Sequence, residues 1–365
     1  VRPPSRPKGE SFARPRDDSY SNRRCDSTRR RLLIASAATV AAPRAAAQPA
    51  WPYPTLNGAP PLVIAHRGAS GYRPEHTLAA YELAIEQGAD FIEPDLVVTR
   101  DGALIARHEN ELSLTTDVAR RPEFAARRRS QVVDGKAVSG WFSEDFLLAE
   151  IQSLRATERF ARERPRNAEF DGRYGVPTLQ EVIALAARAN ESGQRRVGIY
   201  PELKHAAHFA ARGLAPEKRL AEALATLPAR TLPVFVQSFE LPALRAFAGF
   251  SDAPRVMLLA TLPSAAALRE LSTEVQAIGV AKPLVYPRVA DGSIGARTSL
   301  IAEAHALGLA VHAWTFRNED AFLPPALRGQ PQRELELFFA AGIDGVFADS
   351  PDTAIAQRRA SARAS

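Results

Sequence analysis

The chain has 365 residues, 47 Lys plus Arg against 41 Asp plus Glu, and a formal net charge of +6. Residues 1–47 hold 11 of the basic residues and four acidic ones, leaving 36 basic and 37 acidic residues over 48–365. The body is therefore near neutral and its overall charge points to no nucleic-acid or membrane partner, a 45% hydrophobic content excludes wholesale disorder, and the single cysteine, Cys25, leaves the body without disulfides or cysteine-bound metal.

In chain order, residues 1–31 are polar and Arg-rich and read as a disordered arm. Arg29, Arg30 and Arg31 then precede an apolar run, 32–42, and Ala45-Ala46-Ala47 gives a small-x-small cleavage pattern. This order of charge, apolar run and cleavage site predicts an export signal of twin-arginine type and a periplasmic or secreted protein. The run is too short for a span of about 20 residues, and no lipobox cysteine follows it, so no stable membrane anchor is expected. Residues 48–60 read as a linker, 61–358 as the folded body and 359–365 as a tail.

Within the body, short apolar runs at 62–66, 91–98, 104–108, 197–203, 233–239, 256–260, 277–280, 310–316 and 345–348 alternate with amphipathic stretches. Helices are predicted over 77–87, 178–190, 216–227, 241–247, 299–307 and 334–341, the first closed by Gly88. Such alternation means a parallel sheet. About eight units favour a (β/α)8 barrel over an open doubly wound sheet, and neither GxGxxG nor GxxxxGK[ST] occurs. Residues 109–177 are Arg-rich and too long for an ordinary loop. They read as an insertion over the C-terminal face, with one barrel helix near 147–156.

Polar residues at strand ends carry the chemistry. His66 and Arg67 close the first strand, and Gly68 frees the backbone to turn. Glu93 and Asp95 are two apart, so they project to one face of a strand. Glu202 and Lys204 repeat that spacing, and His108 closes LIARH. At a barrel mouth, Glu93, Asp95 and Glu202 make an oxygen site suited to Ca²⁺ or Mg²⁺. His66 and His108 fit a general acid and a general base, and Arg67 and Lys204 fit an anion, with phosphate the natural candidate. Only 5 of the 47 basic residues are lysines, so Lys204 stands where an arginine would usually serve. Taken singly, His66 could be a core histidine, Glu93/Asp95 a solvated edge and Glu202/Lys204 a surface ion pair. These alternatives weaken together, because each pair ends an apolar strand in one repeating pattern. Trp314, at a late strand end, suits either the core or a substrate's apolar part. Aromatics are 7%, with no basic-aromatic stripe for nucleic acid.

The segment AHRGASGYRPEHTLAAYELAIEQGADFIEPDLVVTRDGALIARHE, followed by GIYPELK, VFVQSFE, HAWTFRNED and AGIDGVFADSPDTAI, resembles the glycerophosphodiester phosphodiesterase family, in particular its periplasmic bacterial branch. The resemblance implies a (β/α)8 TIM barrel of the phosphatidylinositol-phospholipase-like phosphodiesterase type, with an insertion after the second strand. It implies hydrolysis of glycerophosphodiesters, such as glycerophosphocholine or glycerophosphoethanolamine, to glycerol 3-phosphate and an alcohol. It further implies attack by the glycerol 2-hydroxyl through a cyclic phosphate. The family's catalytic histidines fall on His66 and His108, and its metal carboxylates on Glu93, Asp95 and Glu202, with Ca²⁺ the usual ion and Mg²⁺ the second. Its substrate contacts fall on Arg67, Glu75, Lys204, Gln237 and Trp314. The insertion matches poorly and is expected to set the alcohol preference. A non-catalytic binding barrel and a phosphodiesterase acting on lysophospholipids stand as the alternatives.

Overall fold

The computed structural model describes residues 51–192, 196–226 and 232–363, within a compact unit spanning Gln48–Ser365. The export leader expected over 1–47 lies outside the described residues. Eight barrel strands follow one another along the chain. They are Leu62–Ala65, Phe91–Ile92 continuing as Asp95–Val98, Gly198–Ile199 continuing as Glu202–Leu203, and Val236–Ser238, then Arg255–Leu259, Ala277–Ala281, Ala310–Phe316 and Gly345–Ala348. Each pairs in parallel with the next. The eighth pairs with the first from Leu62↔Gly345 to Ala65↔Ala348, which closes the ring. The expected (β/α)8 barrel is formed.

Proline explains the two interrupted strands. Pro94 and Pro201 lack an N–H, so a ladder bond is lost at each. The register survives both breaks, because Phe91↔Gly198 and Asp95↔Glu202 keep the same offset. The chain alternates faces along these strands. Ile92, Leu96, Ile199 and Leu203 join the core beneath the outer helices. Phe91 and Tyr200 point the other way, into a second core with Ile64, Val256, Ala277 and Phe347. Tyr200 stacks on Phe235 at 5.1 Å and meets Phe347 edge-on at 5.2 Å. Its hydroxyl bonds His312 Nδ1 at 2.7 Å. Gly198 and Gly345 make room for this plug, since a Cβ there would lie 2.2 Å from Phe91 and 2.7 Å from His312. The plug is the apolar floor on which the next inward residues stand.

The helix Leu78–Gln87 ends at Gly88, at φ 94°, as the sequence predicts, and Thr77 serves as its N-cap. Three sequence expectations change. The run 104–108 is not a barrel strand: Leu104–Ala106 pairs antiparallel with Asp95–Val98. The turn between them is too short for a crossover helix, so the chain must double back. Secondly, the helix expected near 147–156 is the six-residue Leu148–Ser153 inside the insertion, and the barrel's own second helix is Leu179–Ser192. Thr178 and Glu181 cap that helix reciprocally. Thirdly, both flanks of the body are packed. Trp51 is buried edge-on against Phe339 at 5.7 Å, and the last helix, Pro351–Arg363, runs into the expected tail.

The insertion carries an antiparallel hairpin, Arg129–Val133 with Lys136–Gly140. Its ends meet, because the Ala106 N–H donates to the Pro177 carbonyl at 2.9 Å. No helix among the described residues is long and apolar enough to cross a membrane.

Candidate active site

A cavity of about 420 Å³ opens above the aromatic floor, in the size range of small-ligand sites. His66, Arg67, Glu93, His108, Glu202, Lys204, Gln237 and Trp314 all line it. The two-residue period raises Glu93 and Asp95 above Phe91, and Glu202 and Lys204 above Tyr200. His108 arrives differently. The doubled-back strand ends with the Arg107 N–H donating to the Asp95 carbonyl at 2.8 Å, which returns His108 to the height of the carboxylates.

The two histidines are held alike. His66 Nδ1 lies 2.5 Å from Asp349 Oδ1, and His108 Nδ1 lies 2.6 Å from Glu109 Oε1. A carboxylate on Nδ1 fixes the proton there and leaves Nε2 for proton transfer. Burial lowers His66 to about 4, with Arg67 adding to the shift and Asp349 opposing it. Burial, then Arg67 and Lys204, lowers His108 to about 3.

Glu93, Asp95 and Glu202 are buried, and one ligand oxygen from each lies within 4.8 Å of the others. Glu93 accepts from Gln237 Nε2 at 2.5 Å and from the Arg67 N–H at 3.1 Å. Asp95 Oδ2 faces His76 Nε2 at 3.0 Å, while its Oδ1 is buried with no hydrogen-bond partner. Lys204 Nζ is 2.8 Å from Glu202. Burial, then the charges of Asp95 and Glu202, pushes Glu93 well above the usual carboxylate range. Burial likewise lifts Glu202 to about 7, Lys204 opposing. Burial would raise Asp95 too, but His76, Lys204 and Arg67 outweigh it and hold it low. This group resists carrying its full negative charge alone, and a cation would relieve it. The all-oxygen donor set and the orphaned Asp95 oxygen fit a hard divalent ion.

Arg67 and His76 both have left-handed backbones, at φ 60° and 55°. Such strain costs of order 1–3 kcal/mol per residue. Here it places two side chains on Asp95 within one turn, closed by the His76 N–H on the Arg67 carbonyl at 3.0 Å. Arg67 Nη1 also donates to both Glu75 oxygens, at 3.2 and 3.0 Å. Glu75 therefore stands behind Arg67 and does not line the cavity. Trp314 meets Phe239 edge-on at 5.7 Å.

Sequence reasoning missed several residues. Asp349 follows an apolar strand and was open to the strand-end logic that found His66. Lys282 and Arg317 line the far wall. Lys282 Nζ bonds Glu334 at 2.7 Å, and Arg317 Nε donates to Asp349 at 2.8 Å. No lining residue comes from 109–177, so the insertion meets the site from behind instead of forming its wall.

Two carboxylate-backed histidines beside a carboxylate trio and a cationic wall, at the mouth of a closed barrel, suit hydrolysis of a phosphoric diester. The model of the glycerophosphoryl diester phosphodiesterase family matches residues 66–353. The chain belongs to that family and is a glycerophosphodiester phosphodiesterase. It is 34% identical over 318 residues to the glycerophosphodiester phosphodiesterase GDPD6 of Arabidopsis thaliana, covering 79% of this chain and 83% of that one. A Haemophilus influenzae glycerophosphodiester phosphodiesterase is 38% identical over 151 residues, 39% of each chain. Among solved structures, an Oleispira antarctica phosphodiesterase in complex with the product sn-glycerol-3-phosphate superposes with a TM-score of 0.58 at 24% identity, covering 83% of this chain and 98% of that one. A glycerophosphodiester phosphodiesterase from Agrobacterium tumefaciens gives 0.52 at 22% identity, over 81% and 99%. At these identities the structures speak for the fold.

Proposed function

We propose that the cavity converts glycerophosphodiesters such as glycerophosphocholine and glycerophosphoethanolamine to glycerol 3-phosphate and the free alcohol, with His66 and His108 as the proton-transfer pair. The observation that carries this reading is the matched setting of the two histidines, each bonded through Nδ1 to a carboxylate at the edge of one cavity. Arg67 and Lys204 bind the phosphodiester anion, Arg67 kept in place by Glu75 and Asp95. One histidine accepts the proton of the attacking hydroxyl at Nε2, and the other delivers a proton to the departing alkoxide. Attack by the glycerol 2-hydroxyl gives a cyclic phosphate, which water then opens. Both imidazoles are neutral in the free site, and the bound phosphate anion favours protonation of the one that serves as acid. Gln237 holds Glu93, and Trp314 packs against the substrate. Glu93, Asp95 and Glu202 would hold a divalent cation, Ca²⁺ first and Mg²⁺ second, which would neutralise charge on the phosphoryl oxygens when bound.

The test is product release by His66→Ala and His108→Ala proteins on glycerophosphocholine. General acid–base catalysis contributes typically 10²–10⁴-fold, so each loses roughly that factor. Wild-type rates in either variant remove that histidine from the mechanism.

The periplasmic branch and the periplasmic or secreted address belong to the same proposal. They are supported by the Arg29–Arg31 cluster, the apolar run and the small-residue pattern before Gln48. Mass spectrometry of the exported protein should find a mature terminus near Gln48, and a terminus far upstream would refute the cleavage site.

A further inference from the structure

Behind each histidine stands a carboxylate, and behind each carboxylate stands an arginine from one short stretch of the insertion. Arg159 grips Glu109 twice, Nη1 to Oε1 at 2.9 Å and Nη2 to Oε2 at 2.6 Å. Arg164 Nη2 reaches Asp349 Oδ2 at 2.5 Å, while Oδ1 of that carboxylate holds His66. Each arginine is anchored to a second acid. Arg159 donates to Glu75 at 2.7 and 2.8 Å, and Arg164 to Glu319 at 2.5 Å. Neither arginine lines the cavity. Their side chains are 12% and 4% exposed, so they are held where solvent does not compete.

We propose that Arg159 and Arg164 are paired positioning residues, Arg159 acting on His108 through Glu109 and Arg164 acting on His66 through Asp349. Six residues of the insertion thereby set both proton-transfer groups. The inference rests on the acid–base reading of the two histidines.

The physical reason lies in guanidinium geometry. At Glu109 a planar fork fixes the plane of the carboxylate it grips, as an ammonium point charge does not, whereas Asp349 is fixed by two single N–H contacts on Oδ2, from Arg164 and Arg317. A carboxylate fixed in plane accepts the imidazole Nδ1–H from one direction and so fixes where Nε2 points. Glu109 depends on this more than Asp349 does. Its side chain is 26% exposed and free to turn to water without Arg159. Asp349 is 2% exposed and keeps Arg317 at 2.8 Å if Arg164 is lost. The effect at Arg159 should be the larger.

Ion pairs that merely fasten the insertion to the barrel would lower stability without following a particular histidine. Double-mutant cycles separate the two roles. The full chain is assayed on glycerophosphocholine and on a glycerophosphodiester with a p-nitrophenol leaving group, which keeps weak variants measurable. Arg159→Met is expected to lower kcat roughly 10–100-fold with KM within about twofold. That loss should vanish in a His108→Ala background and persist in His66→Ala. Arg164→Met should show the reverse pattern with a smaller loss. The arginine that backs the general acid should also lose its effect on the p-nitrophenyl substrate, whose leaving group needs no proton. Arg159→Lys and Arg164→Lys, which keep the charge, serve if a methionine variant fails to fold, and should give partial losses with the same crossed dependence. Losses of equal size in both histidine backgrounds, losses confined to KM, or full kcat in the lysine variants would overturn the proposal. Full activity in His66→Ala and His108→Ala is a separate failure, that of the acid–base reading beneath it.

Discussion

Asp349→Asn isolates the orienting role of a single oxygen pair. The Asp349 carboxylate takes His66 on Oδ1 at 2.5 Å and both Arg164 and Arg317 on Oδ2, at 2.5 and 2.8 Å. An asparagine keeps the shape but offers one acceptor oxygen and an amide donor. If the oxygen faces the arginines, the NH₂ faces His66 Nδ1 and forces the wrong tautomer, with the proton on Nε2. If it faces His66, the NH₂ faces two guanidiniums. The first arrangement costs less, because it avoids donor against cation. The kinetic effect should then resemble loss of an orienting carboxylate in a serine-protease triad, where the corresponding change lowers kcat by about 10⁴. A 10²–10⁴-fold drop is expected here, with KM nearly unchanged because Asp349 does not line the cavity. Removing one partner of a buried ion pair costs about 3–5 kcal/mol, and retention of Glu319 by Arg164 places the loss at the lower end. Steady-state release of choline, with a denaturant melt of the same protein, measures both. A folded Asp349→Asn protein with kcat within twofold of wild type would refute the orienting role.

Three further outcomes follow from the same geometry. Lys204→Met removes a charge-assisted contact worth about 1.5–3 kcal/mol and should raise KM for glycerophosphocholine roughly 10–100-fold; an unchanged KM would detach Lys204 from the phosphate. Gly68→Ala should destabilise the fold by roughly 1–3 kcal/mol, since Gly68 sits at φ 86° and a Cβ there would lie 2.7 Å from the Ala80 carbonyl carbon; a denaturant midpoint equal to wild type contradicts this. His312 is lowered to about 4 by burial, so between pH 6.5 and 4 the unfolded chain binds a proton that the folded chain refuses. Stability from this group is complete above pH 6.5 and is lost as pH falls through that window, by up to about 3 kcal/mol. His312→Gln should flatten the acid side of the stability–pH curve, and identical slopes in both proteins would reject the assignment.

The strand-borne part of the site was legible because a strand has a fixed period. Once 91–98 and 197–203 read as strands, Glu93, Asp95, Glu202 and Lys204 had to share the inner face. His66 and Arg67 followed from their places at a strand end, while Gln237 came only from the family resemblance. His108 was found, but the path that delivers it was not. A composition of Leu, Ile and Ala in 104–106 does not reveal direction, and only the brevity of the preceding turn shows that the run must double back. The arginines behind the histidines were out of reach. Arg164 meets Asp349 across 185 residues, and Arg159 meets Glu75 across 84. Nothing in the segment TERFARERPRN (157–167) distinguishes an arginine that fixes a catalytic carboxylate from one on the surface. Arg162, three residues after Arg159, has a side chain 94% exposed. Glu75 shows the complementary limit, because its place in the PEHT turn was readable but not that it backs Arg67.

If Glu93, Asp95 and Glu202 hold a divalent cation that the hydrolysis needs, its removal must stop turnover. The most direct measurement is the rate of glycerol 3-phosphate release from glycerophosphocholine by the purified protein, before chelation, after chelation, and after return of Ca²⁺ or Mg²⁺. Chelation should abolish release, Ca²⁺ should restore it, and Asp95→Asn protein should recover little at the same Ca²⁺ concentration. A wild-type rate unchanged by exhaustive chelation would contradict the need for a cation.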